Sequence, residues 1–154
     1  MQAVEYLSQV RKLDLLIENK RDEERELWAL ATSMTQTNDG MPHGSGSTDK
    51  MASIIQKIID ARERTNAAID KYVAVKLDVI RHIEMLPQTQ YDVLYWLYIK
   101  KRDEHSDGKR RYYTWSEAAE GLECSEQNIA IHRRKAIKNL QIILDSEGKK
   151  QKLY

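Results

Sequence analysis

Between Met1 and Asp39 the chain has neither proline nor glycine, and its only two prolines stand at positions 42 and 87. Two long stretches are therefore free to run as unbroken α-helix. In the first, apolar side chains fall at Ala3, Tyr6, Val10, Leu13, Ile17, Leu27, Ala31 and Met34. Their spacings of three and four make a heptad seam interrupted only at Lys20 and Glu24. A helix of about 33 residues would span roughly 50 Å.

Residues 35–48 are dense in Thr, Asn, Asp, Gly and Ser and nearly free of apolar side chains, which predicts a loop or partly disordered linker. Thr48 is the expected N-cap of the next helix. The second seam runs Met51, Ile55, Ile58, Arg62, Thr65, Ile69, Tyr72, Lys76, Val79, Ile83 and Leu86, and Pro87 ends it. Two such helices pack most simply antiparallel. With Met34 near Met51, Glu24 falls beside Arg62, Lys20 near Thr65 and Ile17 against Ile69. The polar breaks of the two seams then coincide, and a partly buried Glu24–Arg62 pair is expected to fix the register. Leu7, Leu16, Trp28, Leu30, Ile54, Ile59 and Ile80 lie outside the seam. They need cover from the C-terminal half or from a second chain, and homodimerisation is the expectation.

Composition narrows the class. Charged residues make up 32% and hydrophobic ones 41%, with no Phe, a balance that suits long amphipathic helices better than a sandwich or parallel sheet. Residues 1–86 hold 12 Lys/Arg against 14 Asp/Glu, a net −2, and residues 87–154 hold 13 against 10, a net +3. A nucleic-acid partner would therefore be held by the C-terminal half. A lone cysteine, Cys124, excludes an internal disulfide and fits a reducing compartment. Acidic residues in the first turns and the lack of an apolar h-region speak against a signal peptide. The longest apolar run, Val93–Ile99, is too short to span a bilayer. A soluble cytoplasmic protein is expected, with no membrane partner.

After Pro87, residues 88–101 predict an amphipathic helix with Tyr91, Val93, Leu94, Leu97 and Tyr98 on one face and Tyr95 and Trp96 free to pack on the first half. In residues 102–113, Asp107-Gly108 is a turn signal between partly alternating flanks. A short β-hairpin wing and a mobile basic loop both remain open. In either form Lys109, Arg110 and Arg111 could meet a phosphate backbone.

The segment from Thr114 to Leu140 then reads as helix, turn, helix. Thr114 can cap a helix over Trp115–Gly121, with Glu117 placed at N3 for a capping box. Ser125 can cap the second helix. Trp115, Ala119, Leu122, Ile129, His132, Ala136 and Leu140 are the expected core of the unit. Ser125, Glu126, Gln127, Asn128, Ala130, Arg133, Arg134, Lys135 and Lys138 are the expected DNA-facing set. Gln and Asn can bond an adenine edge twice, Arg can do so to guanine, and Ala130 could meet a thymine methyl. The basic side chains suit phosphates.

No catalytic chemistry is legible. His43, His82, His105 and His132 have no ligand spacing with Cys124, and neither a Gly-rich phosphate loop nor a nucleophile elbow is present. The expectation is a non-enzyme without cofactor or metal.

At Leu86-Pro87, at Tyr91-Asp-Val-Leu94, at Trp115-Ser-Glu-Ala-Ala119 and from Ser125 through Ile129 to Ala136-Ile-Lys-Asn-Leu140, the chain resembles the region-4 domain of sigma factors. It looks closer still to sigma-like phage regulators of the ArpU/RinA kind. Tyr6–Ile17 and Gly44–Met51 also look like those phage proteins, so the resemblance covers nearly the whole chain. It implies a DNA-binding regulator of late genes that binds double-stranded DNA and acts with host RNA polymerase in the bacterial cytoplasm. Housekeeping region 4 carries arginines where this chain looks to have Glu126, Asn128 and Ala130, so reading of a standard −35 element does not carry over.

The expected architecture is all-α: a long antiparallel helical hairpin over 1–86, a helix-turn-helix domain of sigma region-4 type over 87–145, and a basic tail over 146–154. A small-terminase-like packaging subunit and a coiled-coil adaptor without DNA binding are the competing functions.

Overall fold

The computed structural model describes residues 1–36, 45–102 and 112–152. All regular structure among them is helical: α1 (Ala3–Gln36), α2 (Ser45–Ile83), α3 (Gln88–Leu94), α4 (Trp115–Gly121) and α5 (Glu126–Gln151). α3 continues without a break into a π-helical turn over Tyr95–Ile99, closed by Lys100 N–H donating to the Tyr95 carbonyl at 2.8 Å. This wider turn carries Ile99, five residues after Leu94, to the buried side. No described helix is long and apolar enough to cross a membrane.

The chain divides elsewhere than at the expected boundary after residue 86. One unit joins Met1–Lys12 to Val73–Tyr154, and the other is Leu13–Tyr72. Long-range hydrogen bonds explain the first grouping. Ala3 N–H, one of the donors that a helix start leaves unpaired, donates to Gln141 Oε1 at 2.7 Å, and the Arg11 guanidinium donates to the Leu97 carbonyl. The basic tail expected over 146–154 is helical as far as Gln151. Lys149 and Lys150 sit in the last turn of α5, where cations favour the helix dipole, and Glu147 is held by α2. α1 and α2 also reach into the loop expected over 35–48, of which residues 37–44 lie outside the described set.

In the unit Leu13–Tyr72, Ala31, Ile54 and Ile58 form a buried cluster with Leu27, Met34 and Met51 against it. Arg62 Nε donates to Glu24 Oε1 at 3.0 Å. Moving up α1 from Glu24 to Ala31 thus moves down α2 from Arg62, so the two segments run in opposite directions. The pair is less buried than expected, with the Glu24 side chain 17% exposed and that of Arg62 59%. The seam itself is shifted by one position in places. Ile54, Ala61 and Ala68 are buried in α2 while Ile55 is exposed, and in α1 Asp14 is buried where Leu13 is half-buried. Leu15, Leu16, Trp28, Leu30 and Ile59 remain exposed.

In the other unit, Val93, Leu97, Ala118, Ala119 and Ile129 make a core against which Trp96, Tyr98, Leu122 and Cys124 pack. Trp96, expected to pack on the first half, lies on Gly121 instead. A Cβ built there would collide with the ring, standing 2.6 Å from Trp96 Cζ3. The ring is also fixed by Tyr113, 4.8 Å away between centroids, and by Lys100 Nζ at 3.7 Å.

Candidate nucleic-acid interface

Local chemistry builds the α4–α5 unit. Thr114 has extended backbone, its Oγ1 accepts from Glu117 N–H at 3.3 Å, and Glu117 Oε1 accepts from Thr114 N–H at 3.4 Å and from its hydroxyl at 2.9 Å. These bonds satisfy donors that the start of α4 would otherwise leave unpaired. Arg102 pairs with the other carboxylate oxygen of Glu117. α4 ends at Gly121, and Cys124 N–H folds back to the Ala119 carbonyl at 3.0 Å. The left-handed residue of the turn is Glu123, at φ 54°, although Gly121 is the residue free of that strain. Gly121 serves close approach instead, because only a residue without Cβ admits the Trp96 ring. Ser125 Oγ then accepts from Asn128 N–H at 3.1 Å and starts α5.

α5 is two-sided. Ile129, Ala136 and Leu140 are buried, and His132 is half-buried beside them. On the other side Ser125, Glu126, Gln127, Asn128, Ile131, Arg134, Lys135 and Lys138 are exposed. Helical spacing puts Gln127, Asn128, Ile131, Arg134, Lys135 and Lys138 on one continuous strip. The strip carries two amides, one apolar side chain and three cations.

Three expected site residues sit differently. Ala130 is half-buried, and Ile131, which sequence reasoning passed over, is the exposed apolar residue of the strip. Arg133 is half-buried: its Nε and Nη2 donate to Tyr98 Oη at 3.0 and 2.8 Å, and its guanidinium lies 5.3 Å from the Trp115 ring. Trp115, expected in the core, is 44% exposed. It is the first residue of α4, at the open end of the helix, and its ring lies against Arg133. Lys109, Arg110 and Arg111 lie outside the described residues. Among the described residues, Lys101 and Tyr112 form an antiparallel bridge. Beside it Arg11 lies over Tyr112 at 4.3 Å and Arg102 over Tyr113 at 5.2 Å, so these cations are already occupied by rings.

A second polar cluster joins α1, α2 and α5 in the same unit. Tyr6 Oη donates to Asp78 Oδ2 at 2.6 Å and lies 2.7 Å from His82 Nδ1. His82 Nε2 lies 2.5 Å from Glu147 Oε2, and Arg81 bridges Asp78 at 3.0 Å and Glu147 at 3.3 Å. Burial and the bond to Asp78 push the Tyr6 hydroxyl far above its ordinary range. Bonds from His82 and Arg81 hold the Glu147 carboxyl below its range. Burial acts upward on Asp78, but Tyr6, Arg81 and His82 outweigh it, so Asp78 is lowered too. The cluster borders an open cleft of about 630 Å³ that also touches Met1, Gln9 and Lys149. In the sequence His82 stands outside the α2 seam; the antiparallel register puts Tyr6 near Val79, one turn from His82. Among the described residues no group of three or more His, Cys, Asp or Glu side chains is placed to hold a metal ion.

Compared with protein-family models, with curated proteins and with solved structures, the chain matches none.

Proposed function

We propose that the chain is a sequence-specific regulator of transcription that binds double-stranded DNA through α5, a phage or prophage activator of late genes acting with host RNA polymerase. In this reading α4 and α5 are a helix-turn-helix of sigma region-4 type, with α5 in the major groove. α1 and α2 form a long helical hairpin whose exposed Leu16, Trp28, Leu30 and Ile59 pair two copies in the bacterial cytoplasm. The observation that carries the reading is the strip on α5. Amides able to address adenine edges stand one turn and more before Arg134, Lys135 and Lys138, which suit phosphates. The opposite side of the helix is fixed in a core by Ile129, Ala136 and Leu140. Arg133 belongs to the scaffold in this arrangement, as the clasp between α5, Tyr98 and Trp115.

Selection of bound fragments from phage and bacterial DNA, followed by sequencing, tests it. Enrichment upstream of a late operon supports regulation. Enrichment at a packaging site, together with a ring of many subunits by mass, would replace it with a terminase-like role. No enrichment at all would leave a helical adaptor.

A further inference from the structure

We propose that Ile131 is a specificity-determining residue of α5, which selects thymine at one position of the DNA site by packing on its C5-methyl group. The inference rests on the reading of α5 as a DNA-binding helix and deepens it. Single exposed apolar residues are ordinary on protein surfaces; what sets Ile131 apart is its position. It is 44% exposed in a strip that is otherwise polar from Gln127 to Lys138, three and four residues after Asn128 and Gln127 and three and four before Arg134 and Lys135; the next exposed apolar side chain on that side is Ile142, one turn beyond Lys138. Those neighbours share its side of the helix. Cations one and two turns further along, at Arg134 and Lys135 and then Lys138, favour a polyanion over another apolar protein face as the occupant of this strip. In the major groove thymine alone among the four unmodified bases presents a methyl group, and an aliphatic side chain meets it by apolar contact. Ala130, the other small apolar residue of this turn, is half-buried.

The test removes the thymine methyl from the DNA and the branched aliphatic side chain from the protein in turn. The selected DNA site is synthesised with each thymine replaced singly by deoxyuridine, which lacks only that methyl, and is titrated with the full-length protein and with Ile131→Ala. At one position the replacement is expected to weaken the unmodified protein about fourfold, the equivalent of one buried methyl. It should leave Ile131→Ala unaffected. At the same position, 5-methylcytosine should bind better than cytosine to the unmodified protein only. Circular dichroism melting checks that Ile131→Ala folds, as its exposure leads one to expect.

If the protein selects a site but no deoxyuridine position distinguishes it from Ile131→Ala, the assignment to Ile131 is wrong while DNA binding stands. If Ile131→Ala instead changes the mass of the free protein, the residue belongs to an interface between copies and the assignment is equally wrong. If no site is selected at all, the DNA-binding reading fails and takes this inference with it.

Discussion

His82 Nε2 and Glu147 Oε2 lie 2.5 Å apart across 65 positions of sequence, and through this pair the C-terminal part of α5 is fastened to α2. Tyr6 completes the arrangement from α1, its ring meeting the His82 imidazole edge-on at 5.5 Å. The helix that carries the candidate reading strip at its start is therefore anchored near its end by charged and aromatic groups. Asn139 adds a further tie, donating to Gln90 at 2.9 Å.

The pH dependence of stability follows from the two lowered carboxyls. A group whose folded pKa lies below its unfolded value contributes stability above the unfolded value and loses it as pH falls through the folded one. Asp78 and Glu147 are both of this kind. Urea midpoints should be flat with respect to these groups above the ordinary carboxylate range and fall below it, and Glu147→Gln should make the acid fall shallower. An acid limb of unchanged slope in Glu147→Gln would remove Glu147 from the linkage.

Gly121→Ala should destabilise the unit by about 1–3 kcal/mol, the range for overpacking. A new Cβ would collide with Trp96 Cη2 and stand 2.6 and 2.9 Å from Cζ3 and Cζ2. Tyr113 and Lys100 leave the ring little room to retreat. The effect should shrink in a Trp96→Leu background. A chemical-denaturation midpoint equal to the parent's would mean that the ring swings aside at no cost.

Arg133 and Arg134 should separate by phenotype. Arg133→Ala and Tyr98→Phe should each lower stability, with a coupling of about 1–2 kcal/mol in a double-mutant cycle, because a charged donor makes two bonds to one half-buried hydroxyl. Arg134→Ala with Lys135→Ala should leave stability nearly unchanged. That pair should reduce the slope of log affinity against log salt by about 2 for duplex DNA, roughly 0.9 for each phosphate that no longer meets a cation. Equal effects of the two sets on salt slope would place Arg133 on the DNA.

The Glu24–Arg62 pair should contribute little. Arg62 is mostly in water, and exposed pairs are worth about 0.2–1 kcal/mol. A double-mutant cycle should give a coupling in that range that vanishes in about 1 M salt. Exchanging the two charges, Glu24→Arg with Arg62→Glu, should recover most of what either single reversal loses. A coupling several times larger would make this pair the determinant of register.

Much of the local architecture could be read from the residues. The caps at Thr114 and Ser125 are written in side chains that accept from donors three positions on, so neither depends on distant structure. The facing of Glu24 and Arg62 follows from two polar breaks in two regular seams. The turn was only half legible: a glycine stands near it, but Trp96 packs on that glycine and the left-handed residue is Glu123.

Where helices run, how α4 and α5 are capped, and broadly which side of each helix is apolar follow from the residues alone, because propensity and periodicity act over a few residues. The choice between adjacent positions and the long-range ties comes from packing in three dimensions. Ile131 rather than Ala130 faces outward, Ile54 rather than Ile55 is buried, Arg133 turns back to Tyr98, and residues 1–12 join the C-terminal unit. For the first three the physical reason is rotational. Neighbours on a helix differ by about 100° in direction, and either can be buried until a packing partner fixes the rotation. For the fourth it is distance along the chain. Hydrogen bonds such as Ala3 to Gln141 or His82 to Glu147 join groups far apart in sequence, and such pairs leave no local pattern to read.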